Sequence, residues 1–266
     1  MFAVELSHPV SHLPGIGERR SRELARIGIT SIFDLLMHVP RAYEDRQLSV
    51  PFAQATPEHP VNTVATVVAH SYIAGGRSQT LKVHLRDETG LGVLVCFGRN
   101  FLSRKLPEGK RIRVFGYFQR RYGDLQATAF DFENADGPAV RFGRVLAIYP
   151  LGGKLRQSDL RKAAGAAIAR YGHGVDPDIP EWLLNRRKLL PTDQMLSALH
   201  TPPDISTADH AFRSLVYAEL FFLQLSVALR SVRRREAVRP ARKLPRAELK
   251  ALVASLPFSL TKDQTT

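Results

Sequence analysis

Between Phe97 and Tyr122 the chain interleaves eight lysines and arginines with six aromatic rings and one acid, Glu108. The cations are Arg99, Arg104, Lys105, Lys110, Arg111, Arg113, Arg120 and Arg121. The rings are Phe97, Phe101, Phe115, Tyr117, Phe118 and Tyr122. Guanidinium and ammonium groups bind phosphate oxygens, and exposed rings stack on bases of any sequence. In CFGRNFLSRK (96–105) two phenylalanines stand four apart among charges. Strand alternation from Val93 and Val95 would send Phe97 into a core. Its charged surroundings leave projection open as the other reading. In KRIRVFGYF, alternation sets Ile112, Val114 and Gly116 on one face and Arg111, Arg113, Phe115 and Tyr117 on the other, so Phe115 is expected on the charged face.

The chain has 266 residues, a formal net charge of +13 and 44% hydrophobic residues. That hydrophobic content supports a packed core. The charge favours a polyanionic partner, nucleic acid ahead of an anionic membrane surface. Cys96 has no second cysteine to pair with, which fits a reducing cytoplasm. The nine histidines form no HxxxH or His-Cys pattern, and CxxC is absent, which argues against a structural zinc site. The start, MFAVELSHPV, lacks the basic segment and apolar run of a secretory signal. LVYAELFFLQLSVAL (215–229) contains Glu219, Gln224 and Ser226. It is short and polar for a membrane span and predicts a buried helix.

These residues need a scaffold, and the sequence around them outlines one. Residues 12–40 predict short helices. HLPGIGERRSRELARIGI ends at Gly28, Thr30 or Ser31 can cap IFDLLMHV, and Pro40 stops it. The turn Pro-Gly15-Ile-Gly17 before a basic helix looks like a helix-hairpin-helix, whose glycines let backbone N–H groups approach a phosphate; packing of two helices explains it equally well. Residues 61–133 hold five strand-like segments: VNTVATVVAHSYI, QTLKVHLRD, LGVLVCF, KRIRVFGYFQ and DLQATAFDF. A helix-length stretch lies between the third and fourth, which is the order of an OB-fold barrel. Beyond residue 142 the pattern turns helical, with SDLRKAAGAAIARY starting at a serine cap. The arginines from Arg230 to Arg246 suit a solvated face at a helix C-terminus.

LPGIGERRSRELARIGITSIFDLLMHVPRAYEDR, then the barrel, IYPLGGKLRQSDLRKAA, ALHTPPD, AELFFLQLSVAL and LPFSLTKDQ together resemble the N-terminal half of the RecG family. These are bacterial superfamily 2 helicases that remodel stalled replication forks. ALHTPPD departs where the family tends to have His-Phe-Pro. The resemblance implies an α+β chain: a helical segment (1–50), an OB-fold wedge domain (51–140), a helical linker region (141–250) and the start of a helicase domain (251–266). It implies stacking on branched DNA by Phe97 and Phe101. Backbone contacts fall to Arg99, Arg104, Lys110, Arg113, Arg120, Arg121 and Tyr122, with Gly15 and Gly17 as phosphate contacts. LPFSLTKDQ looks like the segment whose glutamine, here Gln264, holds adenine in many helicases, with Phe258 beside the base.

No GxxxxGK[ST] loop occurs in the sequence, and GGK at 152–154 lacks the rest of it. The resemblance therefore implies ATP and Mg²⁺ for a longer protein, of which this chain would be the part before the motor. It also implies a monomer in the bacterial cytoplasm, with branched DNA and single-strand-binding protein as partners. An OB-fold protein that binds single-stranded nucleic acid or RNA, or a protein-interaction module, is the alternative.

Overall fold

A computed structural model describes residues 5–57, 59–73, 79–172, 179–236 and 245–262. The described chain falls into two compact units, 1–218 and 219–266.

In the first unit a 3₁₀ turn, Val10–His12, precedes helices α1 (Glu18–Ala25) and α2 (Ile32–Leu36). Gly28, with φ of +82°, turns the chain between them. Ser31 caps α2 by accepting the Asp34 N–H at 3.1 Å. The Asp34 carboxylate accepts the N–H groups of Thr30 and Ser31 in return, which holds its pKa down to about 2.

Strand β1 (Ala42–Asp45) follows. The main sheet comprises β2 (Val61–Ile73), β3 (Thr80–Arg86), β4 (Leu91–Cys96), β5 (Arg111–Gly116), β6 (Gln119–Arg121), β7 (Asp124–Ala127) and β8 (Phe130–Asn134). A four-residue helix, α3 (Leu102–Lys105), joins β4 to β5. Neighbours in the sheet run β6-β7-β4-β3-β2-β5-β8. Four of the five expected strands thus form β2, β3, β4 and β5. The fifth, DLQATAFDF, is broken at Thr128–Ala129. Its first half pairs in parallel with β4 and its second half antiparallel with β5. Ala127 and Phe130 are three residues apart, a reach of at most ~11 Å. The two halves can serve β4 and β5 at once only if the sheet curls round until those strands approach. Leu81, Val83, Leu85, Leu94, Ile112 and Val114 fill the interior of this curl.

The curled sheet is an insertion. β1 pairs antiparallel with β9 (Val145–Ile148), from Ala42 opposite Ile148 to Asp45 opposite Val145. The sheet's residues lie between these partners in sequence. A second core joins α1 and α2 to α4 (Gln157–Tyr171) and α6 (Thr192–His200), through Leu35, Leu36, Tyr149, Leu160, Ala164 and Leu199. A short helix, α5 (Glu181–Arg187), lies between α4 and α6. The predicted serine cap of α4 is corrected. The N-cap is Arg156, whose backbone N–H donates to Asp159 at 3.1 Å, while Ser158 sits inside the helix.

The long helix α7 (Ile205–Glu236) begins in the first unit, where Ala208, Ala211 and Leu215 form a buried stripe at helical spacing. The second unit holds the rest of α7 and helix α8 (Arg246–Ala254). There the expectation of burial fails: Leu220, Phe222, Leu223, Leu225, Val227, Leu229 and Val232 are exposed. Apolar residues all round a helix call for cover on every side, and beyond Ala218 these seven lack it among the described residues, while Phe221 between them is half-buried. By length and composition alone, Ile205–Arg235 is long and apolar enough to cross a membrane.

Candidate nucleic-acid interface

The Phe97–Phe101 loop is built to hold its rings in water. β4 ends at Cys96, so strand alternation no longer governs Phe97. Gly98, at φ +62°, turns the chain sharply, in a conformation that favours glycine. Phe97 is 64% exposed and Phe101 56%. Burial of Phe97 beside Val93 and Val95 is thereby ruled out. Just after Phe101, Leu102 and Leu106 drop into the sheet core at i, i+4 spacing, with 5% and 0% exposure. Backbone bonds from Arg99 N–H to Cys96 O and from Leu102 N–H to Arg99 O close the turn. A stiff loop presents the rings without an ordering cost at binding.

The loop's cations are placed by the same scaffold. Arg99 packs its guanidinium 4.5 Å from the Phe130 ring and donates to Thr128 O at 2.9 Å. Lys105 Nζ sits 5.5 Å from the Phe101 ring centre. Arg104 is exposed one turn along. Lys110 Nζ donates to Lys105 O at 2.8 Å. Arg113 is more deeply committed, bonding Asn134 O at 2.7 Å and Gly137 O at 3.1 Å beside Glu133. Arg120, Arg121 and Tyr122 form the exposed tip of the β6–β7 hairpin. Tyr122 is 97% exposed with φ of +53°. A bulky residue rarely takes that backbone.

Two rings read as part of this surface lie elsewhere. Phe118 is buried against Phe52 at 5.2 Å. Phe115 does leave the interior of the curled sheet, as alternation requires, but Arg46 covers it with its guanidinium 4.2 Å from the ring. Arg46, from the Tyr-Glu-Asp-Arg stretch, is nearly fully buried. It bonds Glu44 at 2.6 Å and Asp131 at 2.9 Å, and Asp131 also pairs with Arg141. Tyr43, in the same stretch, donates its hydroxyl to Leu199 O at 2.8 Å. This motif is a structural tie between sheet and helices that charge counting could not find.

At the other sequence-predicted positions the geometry is plain. Gly15, at φ +80°, has its carbonyl taken by Arg20 at 2.7 Å, and Gly17 is the N-cap of α1. Ile16 between them is buried. The element before this turn is the three-residue 3₁₀ turn, not a full helix. Phe258 is exposed in the second unit, and Gln264 lies outside the described residues. Among the described residues no His/Cys/Asp/Glu group is arranged to hold a metal.

A curled sheet that carries a rigid loop of exposed rings and cations defines a class: a sheet-built module able to grip a polyanion with flat faces. The comparisons with known proteins make the class specific. Residues 9–170 match the RecG wedge domain family, and the chain belongs to that family. ATP-dependent DNA helicase RecG of Treponema pallidum is 34% identical over 236 residues, covering 88% of this chain and 34% of that protein. The RecG of Thermotoga maritima is 28% identical over 98% of the chain. A solved structure of RecG bound to a three-way DNA junction covers 98% of this chain and 36% of that one, with a TM-score of 0.73 and 27% identity. The chain thus spans about a third of the length of these relatives.

Proposed function

We propose that this chain is the branched-DNA-binding wedge region of an ATP-dependent helicase of RecG type, acting in fork regression, recombination and repair. The observation that carries the reading is the pair Phe97 and Phe101, held in water by a loop pinned through Leu102 and Leu106. In this reading the curled sheet is an OB-type barrel occupying 51–140, flanked by helical regions at 1–50 and 141–250, and residues 251–266 begin the motor. The rings stack on the last base pairs at a branch point, which recognises shape rather than sequence. Arg99, Arg104, Lys105, Lys110, Arg120 and Arg121 hold the arms by their phosphates, so affinity falls steeply with salt.

Arg113, bound to two carbonyls, is the weakest of the proposed backbone contacts. Tyr122 lies at a hairpin tip that could meet an arm. Phe258 and Gln264 belong to nucleotide binding in the longer protein, where ATP and Mg²⁺ drive the motion. The working form is a bacterial cytoplasmic monomer, with single-strand-binding protein as a second partner.

The test is fluorescence-anisotropy binding to a three-way fork, plain duplex and single strand, for the wild type and a Phe97→Ala/Phe101→Ala variant. A fork preference of ~tenfold or more, lost in a variant that stays folded, is the expected result. Equal binding to all three DNAs by the wild type would remove the branch-point role.

A further inference from the structure

A cavity of ≈ 570 Å³ lies away from the ring loop, among the segment 140–147, the first turns of α4 and residues 200–203. Its floor is apolar, with Leu146, Ala147, Pro202 and Pro203 among the lining residues. Arg141, Arg144, Arg161 and Lys162 also line it, and no carboxylate does. Arg141 is spent on Asp131 and the Phe132 carbonyl. The other three have no ion pair among the described residues.

Arg161 is the informative one. It is half-buried, and burial pulls its pKa down without neutralising it. Its Nε donates to Ala147 O at 2.7 Å, which fixes the side chain and leaves both terminal nitrogens of the fork unassigned. Lys162 makes no hydrogen bond within the described chain, and Arg144 makes a single long one, 3.5 Å to Ala139 O. Gln47 gives its amide N–H to Pro203 O and keeps its own oxygen free at the rim. The His200 ring adds no charge. Its Nε2–H donates to Leu36 O and its Nδ1 accepts from the Tyr149 hydroxyl, both at 2.8 Å.

Glu44 and Asp131 lend Arg161 some negative charge, but both carboxylates are already paired with Arg46, and neither forms an ion pair with Arg161. A partly desolvated guanidinium with free terminal N–H groups, beside two more cations, favours a visiting anion. The volume falls within the range of small-molecule pockets, and a concave, apolar floor suits an organic body better than the convex backbone of a duplex. No ring with an open face lines the cavity, so it offers no platform for a run of stacked bases. We propose that this cavity binds a phosphorylated small organic molecule, of the size of a nucleoside diphosphate. Arg161, Lys162 and Arg144 hold the phosphates and the apolar floor holds the body. The assignment is independent of the ring loop and of the nucleotide role proposed for Phe258 and Gln264.

Isothermal titration of the 266-residue chain with ADP, with inorganic pyrophosphate and with a duplex oligonucleotide tests it. ADP is expected to bind one-to-one and more tightly than pyrophosphate, because only ADP uses the floor. Lys162→Glu and Arg144→Glu, both at exposed positions, should each weaken ADP by ~tenfold or more at an unchanged melting temperature. Arg161→Met should abolish binding, with the exposed pair covering the chance that it also loosens the fold. Fork binding by the ring loop should persist in Lys162→Glu, which separates failure here from failure of the wedge reading. No saturable heat with millimolar ADP, or wild-type ADP affinity in both exposed variants, overturns the proposal. Loss of duplex binding in those variants, with no ADP binding by the wild type, overturns it in favour of a nucleic-acid backbone site.

Discussion

The Phe97–Phe101 loop and the second half of α7 both hold large apolar side chains in water. In the loop, two rings stand among Arg99, Arg104 and Lys105 and are pinned from below by Leu102 and Leu106. On α7 beyond Ala218, seven aliphatic and aromatic residues are exposed on a regular helix, and from Leu220 to Leu229 no charged residue interrupts them. In the proposed function the loop specifies the chemistry of its partner, a flat ring beside a negative charge. The helix specifies only that something apolar covers it. Exposure marks a contact surface, and interleaved charge tells what the surface is for.

The strongest way to break this comparison is from beneath the loop. Leu106→Ala empties a fully buried site and should cost ~2–5 kcal/mol in urea denaturation, taking fork affinity with it. Acid should act next. Burial holds the His200 ring to a pKa of about 4, from an ordinary 6.5. Between those values the unfolded chain binds a proton that the folded chain refuses. Stability is therefore full above pH 6.5 and declines as pH falls toward 4, a drop of several degrees in melting temperature. His200→Gln should flatten that decline from a lower starting point.

Removal of the rings sharpens the contrast by separating binding from folding. Phe101→Ala alone should lose ~1–3 kcal/mol of fork affinity if its ring stacks on a base, while shifting stability by less than ~0.5 kcal/mol. Gly98→Ala should cost ~1 kcal/mol and swing Phe97 away from Phe101, seen as a fork defect with both rings still present. The smallest effect is expected on the helix. Leu223→Gln with Val227→Gln should leave fork binding and urea midpoint within ~0.5 kcal/mol of wild type and reduce binding of an apolar-surface dye.

Much of the scaffold was legible because local rules suffice for it. Ser31 caps a helix, Gly28 turns one, and alternation in β5 puts Ile112 and Val114 inside. Two of the failures, at Phe115 and on α7, share one cause: cover supplied from far along the chain. Alternation assigns Phe115 to the outer face, but only the fold brings Arg46 across from 69 positions away. DLQATAFDF has strand chemistry throughout, and its break at Thr128 comes from curvature of the sheet around it. Periodicity shows that α7 is apolar all round but cannot name what covers it. The ring loop was ambiguous for the opposite reason, since it depends on where β4 stops, a boundary that propensity does not fix.

The pairing of β1 with β9 carries a consequence for how the molecule assembles. Asp45 meets Val145 across about 100 residues, and the helical core needs segments from both sides of that span. Closing a loop of that length on a disordered chain is entropically costly and slow. A curled sheet that forms first shortens the span, because Arg46 and Arg141, at its two ends, converge on the same Asp131 carboxylate. During synthesis the sheet is complete well before α6 emerges, so the inserted part would nucleate the part that encloses it. Refolding kinetics should then show two phases, the fast one reporting the sheet and the slow one the helices.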